Sequence, residues 1–131
     1  AVIMALNRDL SLGSEIIVGE TVRSSDGLAL SSRNAYLSDR ERKKALSLSS
    51  GLFAARELWK SGEKAAEKLK SVVANEILSG DLEVSVEIDY VSVSDGSSFI
   101  EVCRVEEPGN AIILVAAKVG TTRLIDNVLL V

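Results

Sequence analysis

The chain has 131 residues, 47% of them hydrophobic, which is enough for one domain with a core and too little for two ordinary ones. A net charge of -4, with acids and bases interspersed, excludes an extended nucleic-acid footprint. The lack of histidine and the lone Cys103 exclude the commonest general base, an internal disulfide and a multi-thiolate metal centre, so no metal site is expected and a reduced, cytoplasmic setting is.

Residues 1–12 carry Val2, Ile3, Leu6 and Leu10 at helical spacing ahead of Gly13, which predicts a short amphipathic helix. Asn7, Arg8 and Asp9 interrupt the apolar run before it reaches the form of a signal peptide or membrane span. Residues 15–19 read as a short β-branched strand, whose edge would be unpaired. Then comes TVRSSDGLALSSRNAYL, residues 21–37, which gathers hydroxyls, two arginines and a turn glycine in one non-periodic segment. Asp26-Gly27 supplies a turn, and Leu28, Ala29 and Leu30 carry an apolar anchor into Ser31-Ser32-Arg33-Asn34. Two hydroxyls beside a permanently charged guanidinium suit phosphate oxygens, and the same residues also suit a polar turn that caps the next helix.

Ser38-Asp39-Arg40-Glu41 is a capping box opening a second helix, along which Ala45, Leu48, Leu52, Ala55 and Trp59 form one apolar stripe. Trp59 is read as packing rather than as a cofactor contact. Ser61-Gly62 breaks that helix, and Ala66, Leu69, Val73 and Ile77 mark a third that ends near Gly80, so the two form a helical hairpin. The period then changes to two through Leu82, Val84, Val86, Ile88 and Tyr90, while Val91 and Val93 take the opposite parity, which predicts a bulge near Tyr90 and an end at Asp95-Gly96. Residues 99–105 suggest a short edge segment, and Pro108-Gly109-Asn110 a turn into a central strand over 111–119. Gly120-Thr121-Thr122 then closes a hairpin onto 123–130. Lys118, Arg123, Asp126 and Asn127 fit either a ligand contact or, preferred here, a polar network fixing that hairpin in which Arg123 could pair with Asp126. Glu83, Glu87 and Asp89 read as a solvated strand face. Low aromatic content and no obvious exposed apolar stripe argue against a dedicated protein-binding surface.

The run VRSSDGLALSSRNAYLS, taken with AAKVGTTRLIDN, resembles the C-terminal part of the pantothenate synthetase family, ATP-dependent ligases that join pantoate to β-alanine. The leading NRDL, ERKKAL at the start of the long helix and VEIDYVSV fit the same pattern more loosely. In that family the LSSR segment is similar to the KMSKS-type phosphate loop of class I aminoacyl-tRNA synthetases. The resemblance implies catalytic roles for Ser31, Ser32 and Arg33, with Val22 and Leu30 joining them in nucleotide contact. It implies ATP with Mg²⁺, pantoate and β-alanine as substrates, no nucleic acid or membrane partner, and a homodimer as the whole enzyme. The expected fold is α+β, a helical hairpin packed on a small, mainly antiparallel sheet of about three strands. By the same resemblance residues 1–22 are the remnant helix and strand of a Rossmann-like nucleotide-binding domain, and 23–131 a C-terminal lid domain with a hinge over 19–25. The start at Ala1 fits a chain cut from a longer enzyme, about its last half, and inactive alone. The alternative is a non-catalytic interaction or oligomerisation module.

Overall fold

The structure is a computed structural model that describes residues 2–106, 108–109 and 111–131. Its elements are helix α1 (Val2–Asp9), a short 3-10 helix (Ser32–Tyr36), α2 (Asp39–Lys60), α3 (Ala66–Leu78), and strands β1 (Val86–Asp95), β2 (Ala111–Val119) and β3 (Thr122–Leu129). The strands form one antiparallel sheet in chain order, with β2 in the centre. The α2–α3 hairpin packs on one face, α3 against β1 and α2 against β2 and β3. This is the α+β layering expected from the change of period after Gly80.

The core follows the two periodicities. Every member of the α2 stripe is buried, and so are Ala66, Leu69, Val73 and Ile77 of α3. They meet Val93, Ile113, Val115, Ala117, Val119, Leu124 and Val128 from the covered face of the sheet. Gly51 sits where the helices approach most closely: a Cβ there would lie 3.1 Å from the Cα and carbonyl oxygen of Val73. Trp59 is packed as expected and donates its indole N–H to the Val105 carbonyl at 3.1 Å. Lys44 is buried with its ammonium donating to the Ser79 carbonyl at the end of α3, where a cation complements the helix dipole.

The capping box forms as read. Ser38 Oγ accepts from Glu41 N–H at 3.3 Å, and Glu41 Oε2 accepts from Ser38 N–H at 2.8 Å. The bulge also lies where parity placed it. The β1–β2 register shifts between Ile88 and Tyr90, so Val86 and Ile88 pair opposite Val119 and Ala117, while Val91 and Val93 pair opposite Val115 and Ile113 on the same, covered face. The β2–β3 link is the two-residue loop Gly120-Thr121, with glycine at φ +57° in the first central position that such tight hairpins require.

Several expectations are corrected. No strand forms over residues 15–19, because no neighbouring strand offers a ladder, and Ile17 and Val18 stand in solvent. Among the described residues α1 ends at Asp9 rather than near 12, with Ser11 at φ +49° and Leu12 N–H returning to the Asn7 carbonyl. That is a Schellman closure carried by serine ahead of the glycine. The large apolar residues of α1, Val2, Ile3, Met4 and Leu6, are exposed, so among the described residues an unpartnered apolar surface does exist. Strand β1 begins at Val86 rather than 82, and residues 99–105 give only isolated bridges, Glu101 to Ser94 and Arg104 to Ala65. The expected turn at 108–110 involves Asn110, and the expected first helix Ala1, both outside the described residues.

Candidate functional site

Residues 22–30 form a small hairpin against the open edge of β3. Ser24 N–H donates to the Leu28 carbonyl, Leu30 N–H donates to the Val22 carbonyl, and Gly27 takes φ +97° at the turn. Leu28 is the anchor, 4% exposed and part of the core. Among the described residues this pairing leaves Val22 N–H and Leu30 C=O without a backbone partner, at the mouth of the hairpin where its two arms part. The side chains of Val22 and Leu30 are themselves exposed.

Two arginines fix this hairpin from opposite sides. Arg23 forks onto Asp126 of β3 at 2.6 and 2.8 Å, donates to the carbonyls of Gly27 and Asn127, and lies 4.9 Å over the ring of Phe53. The Asp126 side chain is 3% exposed, so this is a buried bidentate pair. Arg42 of α2 forks onto Asp26 and also reaches Ser24 Oγ. The hydroxyl of Ser24, then Arg42, hold the Asp26 carboxyl below the usual carboxylate range. Sequence reasoning missed both clamps. Arg123 pairs with Asp89 at 2.5 Å instead of Asp126, because residues three apart on a strand point to opposite faces. A buried aspartate in a strand was the signal that a distant cation must reach it.

On this base stand Ser31, Ser32 and Arg33, all exposed and adjacent. Ser31 is the N-cap of the 3-10 helix, its Oγ accepting from Arg33 N–H at 3.2 Å, which leaves the hydroxyl proton free to donate outward. Capping therefore occurs at Ser31, but the long helix that follows is capped by Ser38. Among the described residues Arg33 has no acidic partner within ion-pair distance. Asn34 Nδ2 donates to the Ala29 carbonyl at 3.0 Å, tying the loop ends together. Between the loop and β3 lies a cavity of about 470 Å³, lined by Thr21, Leu30, Ser31, Arg33, Arg123 and Asn127 among others. Of the residues singled out from the sequence, Leu30, Ser31 and Arg33 of the loop thus share a cavity with Arg123, Asp126 and Asn127 of β3. Ser32, Val22 and Lys118 do not line it.

Fold and site together define a small α+β module that presents a hydroxyl and guanidinium loop, rigidly seated, at the rim of a cavity. The chain belongs to the pantoate-beta-alanine ligase family, whose model matches residues 1–129. A pantothenate synthetase of Myxococcus xanthus is 48% identical over 126 residues, which is 96% of this chain and 42% of that protein. The crystal structure of pantothenate synthetase from Thermus thermophilus superposes with a TM-score of 0.85 at 33% identity, covering 98% of this chain and 45% of that one. A pantoate-beta-alanine ligase from Francisella tularensis, complexed with beta-gamma ATP and beta-alanine, shares the fold at 24% identity and a TM-score of 0.54, covering 98% of this chain and 38% of its own. The chain thus spans less than half the length of these relatives. Among the described residues no helix is long and apolar enough to cross a membrane.

Proposed function

We propose that this chain is the phosphate-binding portion of an AMP-forming ligase that condenses pantoate with β-alanine. The observation that carries the reading is the seating of Ser31 and Arg33 at a cavity rim, with a guanidinium that has no intrachain acid to serve among the described residues. In the reaction the pantoate carboxylate attacks the α-phosphorus of MgATP and expels pyrophosphate, and the β-alanine amine then attacks the acyl carbon and releases AMP. Charge builds on the phosphate oxygens in the first step. The hydroxyl proton of Ser31 and the fork of Arg33, both at the cavity rim, meet that charge, and the exposed hydroxyl of Ser32 turns in to join them, which lowers the barrier. Val22 N–H and Leu30 C=O present a donor and an acceptor suited to the edge of a nucleotide base. Mg²⁺ travels with the nucleotide as part of the substrate.

Placement in the C-terminal part of the enzyme, with residues 1–22 as the remnant of a nucleotide-binding domain and 23–131 as a lid hinged over 19–25, belongs to the same proposal, as do a homodimeric whole enzyme and a cytoplasmic setting. The exposed apolar residues of α1 support a covering domain, and would equally serve the alternative of a non-catalytic docking module.

One reconstitution tests these points. The chain alone should make no pantothenate. Mixed with the N-terminal portion of the Myxococcus relative it should do so, and Arg33→Ala should lower the rate by about 10²–10³ with thermal stability unchanged. Activity with the relative's C-terminal portion instead would overturn the placement, full activity of Arg33→Ala would overturn the role of the loop, and stable association without activity would favour the docking module.

A further inference from the structure

Gly120, in the turn between β2 and β3, faces the first turn of α2. A Cβ added there would overlap Glu41 Oε1 and lie 2.9 Å from Glu41 Cδ, so the carboxylate fills the space that a side chain would take. The other oxygen of that carboxylate, Oε2, accepts from Ser38 N–H at 2.8 Å and from the Ser38 hydroxyl at 2.7 Å. Ser38 is where the chain leaves the loop, directly after Leu37, the C-cap of the 3-10 helix that carries Ser32 and Arg33. The next residue of α2, Arg42, holds the incoming arm through Asp26 and Ser24. Two adjacent side chains thus hold both ends of the loop, and one of them is seated on Gly120. The seat is itself fixed, since Gly120 N–H donates to the Ser85 carbonyl at 2.8 Å.

We propose that Gly120 and Glu41 are positioning residues for the phosphate loop: the glycine leaves a seat on the β2–β3 turn for the Glu41 carboxylate, and that carboxylate sets where the 3-10 helix ends. The backbone of Gly120, at φ +57°, does not by itself demand glycine, because asparagine also takes that conformation. The space does demand it. A glutamate can withdraw from a methyl group, but one carboxylate serves both contacts, so withdrawal gives up the Ser38 amide. The outgoing end of the loop is then released while the core, which these residues do not join, stays packed. For the reaction this rests on the ligase reading; for the placement of the loop it does not.

The test is a double-mutant cycle on Gly120→Ala and Glu41→Ala in this chain, read by amide shifts of Ser32 and Arg33 and by exchange protection of Ser38. Each single change should move the shifts and lower the Ser38 protection by about tenfold. In the Glu41→Ala background Gly120→Ala should move neither any further, because strain from a positive φ stays in the turn. Glu41→Ala introduces no such strain and carries the test where Gly120→Ala folds poorly. Gly51→Ala, which acts on stability at the α2–α3 crossing, should leave the loop signals in place. Mixed with the N-terminal portion of the Myxococcus relative, Gly120→Ala should lower kcat by about 10–10²-fold with KM for pantoate unchanged. The proposal is overturned if Glu41→Ala or a folded Gly120→Ala leaves the loop signals unmoved, if the two effects add, or if Gly51→Ala moves the loop as far. An unchanged kcat with a displaced loop would overturn the catalytic half. An inactive parent mixture would count against the ligase reading alone, and the exchange cycle would then decide the seat.

Discussion

Asp126 and Arg23 carry the loop, and the energetic consequence is asymmetric. A buried ion pair contributes little against a well-packed apolar substitute, but removing one partner strands the other. Asp126→Ala leaves the Arg23 fork, 17% exposed, beside an empty acceptor position. It should cost about 3–5 kcal/mol in denaturant unfolding, and Arg33→Ala, which breaks no ion pair within the described residues, should cost almost nothing. Equal losses in the two variants would refute this division between the clamp and the free donor.

The second clamp is exposed and responds to pH. Asp26 has its ionisation favoured by Ser24 and Arg42, so its pKa in the folded chain lies below the unfolded value. A group depressed in this way contributes fully above the unfolded value, about 4, and its contribution disappears as pH falls through the folded one. Glu41 of the capping box and Asp81, held by Arg40, are depressed in the same sense. The loop and the start of α2 should therefore loosen together as pH falls below about 4. Protection of the Leu28 and Leu30 amides against exchange, taken relative to an unstructured peptide at each pH, should drop over that interval in the parent. In Asp26→Asn the drop should be smaller, since one of the titrating contacts is already gone.

At the level of elements, the α2–α3 crossing decides how close the hairpin can pack. Alanine normally favours a helix interior over glycine by about 1 kcal/mol. At Gly51 that gain is opposed, because a methyl meets the backbone of Val73 at 3.1 Å and neither helix can yield without moving off the sheet. Gly51→Ala should be destabilising by about 1–3 kcal/mol, measured as a lower denaturation midpoint. A rise would show that the crossing is softer than its geometry. The stripes that define this hairpin were legible, since Ala45 to Trp59 and Ala66 to Ile77 recur at steps set by the helix itself. Strand β1 was legible in parity and bulge but not in its start, because Leu82 and Val84 keep the alternation after the ladder has lost its partner: β2 ends at Val119, opposite Val86. Residues 15–19 had strand composition and nothing to pair with, which composition alone cannot show.

For the whole molecule, the helices cover one face of the sheet, and the other leaves Tyr90, Ile125 and Leu129 exposed beside the Arg123–Asp89 pair. The loop residues were readable as a set because hydroxyl, hydroxyl and guanidinium are adjacent in sequence. The partners that position them were not, since Arg23 meets Asp126 across 103 residues and Arg42 meets Asp26 across 16. Local spacing reports chemistry, and long-range pairing reports orientation.

Arg23 also stands on the outer edge of β3, donating to the Asn127 carbonyl at 3.3 Å while the 3-10 helix packs alongside. A bare strand edge is a template for another chain. The side chain that seats the loop thus also occupies a backbone acceptor on that edge. Variants that free Arg23 would become sticky as they lose the seat of the loop, and a screen for solubility alone would retain the geometry of the site without ever measuring a ligand.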